Sequence, residues 1–351
     1  MTRLHKKHIL WILGFGFLAV YLFTRLANIT AFPIFTDEAI YLRWAQIAGN
    51  DPDWIFISLT DGKQPLFVWL AMLNMYVISD PLLAGRLVSV MAGLASMVGL
   101  FFLTKELFRS KKIAIVASFL YLLYPFALVY DRIALYDSLV AAFIIWSLYI
   151  EILLVRKRDF RLAVLLGVVI GIGLLNKSSA NFAVILLPFS LFLFNFKDKV
   201  WKKKLIRWGI CAFIAVFIAQ AIYALLRLSP FFYIVAQKDA VFVYPYNEWI
   251  QHPFTFLTPN IITLWGWLVD YTEIPVLIFI FASFFIGKKY LREKLLLFAW
   301  FIIPFIALAT FGKLLYPRYI LFMTMPLLAL GAFSFYTILH GLPNRLSLIH
   351  I

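Results

Sequence analysis

The strongest constraint on this chain is its series of long apolar runs, each close to the roughly 20 residues an α-helix needs to cross a hydrocarbon core. They fall at 8–24, 84–104, 113–130, 138–155, 162–175, 180–196, 205–226, 273–287, 295–311 and 319–340. Backbone polar groups facing lipid must be satisfied within the segment, so runs like these fold as helices. The expected fold class is an all-α polytopic membrane protein with ten transmembrane helices. With 64% hydrophobic and only 14% charged residues, the composition excludes a soluble enzyme, a disordered chain and a disulfide scaffold. The net charge of +15 would point a soluble chain toward nucleic acid. Here it is read by its placement in loops, and no nucleic-acid partner is expected. Cys211, the one cysteine, lies inside an apolar run and forms no intrachain disulfide.

The run at 66–79 is too short for a span and reads as a re-entrant or interfacial segment. Charge placement supports this. With 66–79 not crossing and the N-terminus cytoplasmic, 22 of the 32 lysines and arginines fall on the inside, in the N-terminus, 105–112, 156–161, 197–207, 288–294 and the tail. That is the asymmetry the positive-inside rule requires. If 66–79 crossed, 105–112 and 156–161 would move outside and the asymmetry would be lost.

Twelve of the 17 acids fall outside or at the outer ends of helices, among them Asp37, Glu38, Asp131, Asp137, Asp239 and Glu248. An acidic outer face needs its own reason, and a reaction centre is one. Two long outer loops, 28–83 and 227–272, are expected to carry it. Within the first, 37–48 reads as an amphipathic surface helix capped near Thr36.

Ionisable groups at membrane depth are costly and therefore candidates for function. Asp37, Glu38 and Asp137 are candidate acids for a general base, although each also suits an ordinary helix start, and Asp137 could simply pair with Arg132. Lys63, Arg86, Arg132, Lys177, Lys313 and Arg318 are outer cations. Each could snorkel to the interface, and together they could hold a phosphate-bearing lipid. Glu248 and His252 are spaced i, i+4, so on a helix they share a face that could take a divalent metal ion, the one cofactor considered. Walker A, GxGxxG, HExxH and GxSxG patterns are absent from the sequence.

In order, the chain has a DE pair after the first span, KQPL…W before the second, and R-x4-D outside the third. A span ending in NKS, a loop with E-x3-H and a late GK…Y stretch follow. This order resembles the GT-C membrane glycosyltransferases, in the group of protein O-mannosyltransferases and lipid A aminoarabinose transferases. The resemblance runs over about residues 8–340. It implies inverting transfer of a sugar from a polyprenyl-phosphate donor to an acceptor at the outer face. It makes Asp37 the catalytic base with Glu38 and Tyr41 as companions, and Asp137 a second site acid. Lys63 falls in the family's KPP motif near the donor phosphate, Lys313 and Tyr319 match a donor-contacting stretch with Arg318 beside it, and His252 matches a metal-holding His. Two departures stand out. Gly62 occupies a position where some members carry Glu or His, and Gln64 replaces the first Pro of the KPP motif. The ending NRLSLIHI has no place in the pattern. The tail at 341–351 is therefore read as non-native, from a truncated or chimeric reading frame, and is set apart from the domain at 1–340.

The expected partners are the donor lipid, membrane lipids and an acceptor that is a protein, lipid A or another glycan. The expected location is the cell (inner) membrane. A transporter or flippase of lipid-linked sugars is the rival reading, but transporters collect polar groups near the midplane and in internal repeats. Here the charges collect at outer helix ends.

Overall fold

The computed structural model describes residues 3–287 and 290–341, with side chains from Gly14 onward. The described residues form helices, with one isolated β-bridge between Val243 and Gly312. In order they are α1 (Arg3–Leu26), α2 (Thr36–Asn50), α3 (Leu66–Met75), α4 (Pro81–Phe108), α5 (Lys111–Leu123), α6 (Pro125–Tyr130), α7 (Tyr136–Lys157) and α8 (Phe160–Asn176). There follow α9 (Phe182–Leu186), α10 (Trp201–Tyr223), α11 (Tyr233–Phe242), α12 (Tyr246–Trp249), α13 (Leu257–Thr272), α14 (Ile274–Phe285), α15 (Leu291–Phe311) and α16 (Leu321–Gly341).

Six helical stretches are long and apolar enough to cross a membrane, and a seventh results if α13 and α14, bent by 105°, count as one. The chain is an integral membrane protein. The ten expected runs are all helical, yet several are not simple spans. Residues 113–130 break at Tyr124, whose extended backbone is what a following proline imposes. Residues 180–196 wind through 3₁₀ turns around the short α9. The second outer loop is shorter than expected, because 257–272 is the apolar helix α13 and not loop. Its bend into α14 falls at Glu273, which has φ 64 and precedes Pro275. The segment at 66–79 is the ten-residue α3, about 15 Å long and half a hydrocarbon core.

Local sequence sets the helix ends. Asp80, Ser110 and Asp159 cap α4, α5 and α8 through side-chain oxygens, and Pro81 begins α4 where its missing N–H is harmless. The α2 start differs in detail from the sequence reading. Phe35 is the cap residue and Glu38 reaches back to its N–H at 2.9 Å. Helices α8 and α10 approach closely along Gly167 and Gly171, where an added Cβ would lie 2.6 Å from the Ala215 carbonyl and 2.8 Å from Ile222 Cβ. Small residues four apart permit this contact in a membrane.

The bundle has two chemically different ends. The basic turns after α4 and α7 meet where Arg156 binds Glu106, and Arg292 at the start of α15 donates to the Phe194 carbonyl nearby. At the opposite end lie the C-terminus of α8, the N-termini of α7 and α16, and α2, α3 and α11. A buried cluster there ties α1 to the bundle: Asp131 accepts from the Tyr121 hydroxyl at 3.1 Å and the Ser138 hydroxyl at 3.0 Å, with Arg25 3.7 Å away.

Glu151, in the C-terminal half of α7, is fully buried, and neither carboxyl oxygen has a hydrogen-bond partner among the described residues. Replacing it with Leu is expected to raise stability by about 1–3 kcal/mol, because an unpaired buried carboxyl costs desolvation that Leu avoids. Thermal unfolding in detergent checks this. A lower midpoint for Glu151→Leu would show that the carboxyl is used.

The tail reading for 341–351 falls, except for Gly341, outside the described residues.

Candidate active site

A cavity of about 580 Å³ opens at the acidic end of the bundle. Its polar wall carries Tyr41, Lys63, Asp137, Lys177, Lys238, Asp239, Arg318 and Tyr319, and its apolar wall includes Phe182, Ile185, Leu308 and Phe322. It thus combines a charged head region with a surface suited to an alkyl chain.

Asp37 lies in the first turn of α2, and its Oδ2 accepts from Arg318 Nη2 at 2.7 Å and from the Tyr41 hydroxyl at 3.4 Å. Asp137, in the first turn of α7, accepts from Lys177 Nζ at 2.6 Å, and Arg318 Nε lies 3.7 Å from its other oxygen. Arg318 therefore bridges the two acids across 281 and 181 residues of chain. The guanidinium also stacks over Tyr316, 4.7 Å from the ring centre, and Lys177 lies 4.6 Å from the Tyr319 ring. The convergence of Asp37 and Asp137, which spacing alone could not show, is present.

Lys63 differs from the other cavity cations. Lys177, Lys238 and Arg318 each have a carboxylate partner, at Asp137, Asp61 and Asp37 respectively. Lys63 has none within ion-pair distance among the described residues, and its ammonium lies 4.8 Å from the Phe242 ring. Burial, with Lys177 and Lys238 beside it, pushes Lys63 down to about 8. Gly62 places it. Gly62 has φ +66, and a Cβ there would lie 2.4 Å from Lys238 Cβ and 2.8 Å from the Ile234 carbonyl. Neither the conformation nor the space admits the Glu or His carried by some members.

Asp37 stands behind the cavity wall, in contact with its lining residues Arg318 and Tyr41, and Glu38, Arg132, Lys313, Glu248 and His252 lie elsewhere. Glu38 is fully buried and its carboxylate is spent on structure. Arg86 binds it through two nitrogens at 2.8 and 2.9 Å, and the Ala134 N–H donates to it at 2.6 Å in addition to Phe35. Glu38 is thus the pin that holds α2 to α4. Arg132 points away from the cavity, donating to the Ala27 carbonyl at 2.5 Å and stacking over Phe32. Lys313 pairs with Glu248 beside Tyr244, at the rim. Glu248 is thus bound to an ammonium, and no group of three or more His, Cys, Asp or Glu side chains gathers among the described residues. Glu248 and His252 do not form a fitting donor set, and no step is routed through a metal.

Sequence reasoning passed over one relay. Gln64 donates to the Ser178 hydroxyl at 2.7 Å, and Ser178 donates to Asp239 at 2.9 Å. Burial raises Asp239, against the hydrogen bond from Ser178. Gln64 replaces a motif proline, and its amide is what makes this tie possible.

Residues 62–223 match the sequence model of the family described as dolichyl-phosphate-mannose-protein mannosyltransferase. No curated protein gives a significant match. Among solved structures, ArnT from Cupriavidus metallidurans in the apo state superposes with a TM-score of 0.67 at 15% identity, over 94% of this chain and 60% of that one. The same protein bound to undecaprenyl phosphate gives 0.64 at 15% identity, over 93% and 60%. The archaeal oligosaccharyltransferase AglB from Archaeoglobus fulgidus, in complex with an inhibitory peptide and a dolichol-phosphate, gives 0.58 at 17% identity, over 99% and 52%. The chain spans 60% or less of the length of these proteins. Over almost its whole length the chain thus shares the fold of the ArnT and AglB membrane proteins, and residues 62–223 match the protein mannosyltransferase family model.

Proposed function

We propose that this chain is an inverting glycosyltransferase that moves a sugar from a polyprenyl-phosphate donor to an acceptor at the outer face of the cell membrane. The observation that carries the proposal is a single cavity whose wall joins Asp137, Asp239, three ion-paired cations and an unpaired ammonium to an apolar surface, with Asp37 held directly behind its lining residues Arg318 and Tyr41. The solved relatives support the donor class, since one is bound to undecaprenyl phosphate and another to a dolichol-phosphate. The outer-face reading is supported by the cavity's position at the end opposite the basic turns, since basic loops favour the cytoplasmic side.

In this reading the prenyl chain follows the apolar wall and its phosphate meets Lys63, with Lys177 next to it. Asp37, oriented by Arg318 and Tyr41, takes the proton of the attacking acceptor hydroxyl or amine. The acceptor attacks the anomeric carbon from the face opposite the phosphate. The carbon–oxygen bond to phosphate breaks, the configuration inverts, and the electron pair leaves on the phosphate, stabilised by the cations. A transporter reading has no comparable support, because the polar groups gather at one end of the helices.

Lys63 gives a pH test. A bound phosphate favours the ammonium, which is already present below about pH 8. Above that value binding must take up a proton, so affinity for undecaprenyl phosphate is expected to fall by up to about tenfold per pH unit. Lys63→Arg keeps its charge and is expected to flatten the profile. An affinity for the wild type that does not change between pH 7 and 9.5 would rule out Lys63 as the phosphate contact.

A further inference from the structure

The segment between α11 and α13 frames a second cavity, of about 530 Å³, that the transfer step does not use. Tyr244, Trp249 and Phe256 supply its aromatic surfaces, with Tyr244 and Phe256 stacked 5.4 Å apart, and Glu248, Gln251 and His252 supply its polar groups. Tyr244 also lines the main cavity, so the two spaces share a wall.

The framework around this cavity is fixed. Val243 and Gly312 form the β-bridge, and the Asn260 amide donates to the carbonyls of Ala309 at 3.1 Å and Gly312 at 2.9 Å. Trp249 packs 5.1 Å from Phe311. At the tip of the segment Phe254 has φ 72, a conformation that costs a bulky residue free energy and that tends to occur at functional loops.

The lining selects a ligand class. An acyl chain would strip water from Glu248, Gln251 and His252 and give nothing back. A phosphate would have to displace the Glu248 carboxylate from Lys313, the cation paired at this cavity, and would leave that carboxylate beside its own charge. A sugar ring has an apolar C–H face and a rim of hydroxyls that both donate and accept, which matches aromatic faces beside a carboxylate, an amide and an imidazole. We propose that this cavity is a saccharide subsite, holding a pyranose ring remote from the reacting one against its aromatic faces, with ring hydroxyls on Gln251, His252 and Glu248. The inference rests on the glycosyl-transfer reading. The ring belongs either to a glycan acceptor or to an extended sugar on the donor.

The test uses the full chain in detergent micelles, with mannotriose and chitotriose at millimolar concentration observed by saturation-transfer NMR. Wild type is expected to give transfer to ring protons of at least one of the two. Gln251→Ala and His252→Ala, both at exposed positions, are each expected to weaken saccharide affinity about tenfold. Trp249→Ala is expected to remove it. Undecaprenyl phosphate binding, followed in parallel, stays unchanged in all three variants. A lipid-linked trisaccharide that displaces the free sugar, where a lipid-linked monosaccharide does not, assigns the subsite to the donor. Persistence of the signal with both assigns it to the acceptor. Absence of any saccharide signal from wild type overturns the proposal, as does a signal that survives both Gln251→Ala and His252→Ala. So does binding of a Ser/Thr peptide that the same substitutions remove. Failure of wild type to bind undecaprenyl phosphate counts separately, against the transfer reading itself.

Discussion

Asp37→Asn is expected to lower sugar transfer about 10²–10⁴-fold, the range for loss of a general base. Folding and donor binding are expected to persist. Asparagine fits the same site, its side-chain oxygen can still accept from Arg318 and Tyr41, and the ion pair lost is partly exposed, costing roughly 1 kcal/mol or less. Asp137→Asn separates the two acids. Asp137 is the more buried and is bound by Lys177 at 2.6 Å, so its loss frees the Lys177 ammonium rather than removing a proton acceptor. Transfer rates measured beside thermal midpoints distinguish these roles. Near-normal transfer by a well-folded Asp37→Asn variant would refute the assignment of the base.

The second large effect is structural. Arg86→Ala should destabilise the protein by about 3–5 kcal/mol, because it leaves the Glu38 carboxylate buried without its counter-charge. Arg86 also donates to the carbonyls of Phe32 and Pro33, at 3.2 Å each, and to that of Ile29, so the whole approach to α2 depends on it. Since α2 carries Asp37 and Tyr41, activity should be lost along with the fold. Removing both members of the pair should cost less than the sum of the single losses. Additive losses, or an Arg86→Ala variant within 1 kcal/mol of wild type, would mean that Glu38 does not act as the pin.

The contrast between Asp37 and Glu38 shows where the sequence stops being informative. The two residues are adjacent, and successive positions on a helix point in directions about 100° apart. Only one of them can reach the cavity-lining Arg318 and Tyr41, and nothing in the letters DE says which. The arginine that decides the matter lies 48 residues on. The partner of Asp137 is hidden for a similar reason, with Arg132 as the nearby candidate. Its place near Asp137 in sequence suggested a partner, but Asp137 is met by Lys177 and Arg318, brought from distant helices. In contrast, the apolar runs and the basic loops follow from solvent physics acting on local composition. They disclosed the membrane class, the short α3 and the separation of acidic and basic ends. Helix breaks at Tyr124 and Glu273 were harder to read, because an apolar run looks the same whether or not the helix bends inside it. The Gln64–Ser178–Asp239 relay joins three segments that share no sequence signal.

The central claim is that the cavity holds a polyprenyl-phosphate sugar. Its most direct test is mass spectrometry of the lipids that co-purify with Asp37→Asn in mild detergent. With the base removed, the donor should remain bound. The expected result is a polyprenyl-phosphate sugar enriched over active wild type and lost when Lys63→Ala is added. Bulk phospholipid alone, in repeated preparations of a folded variant, would contradict the account.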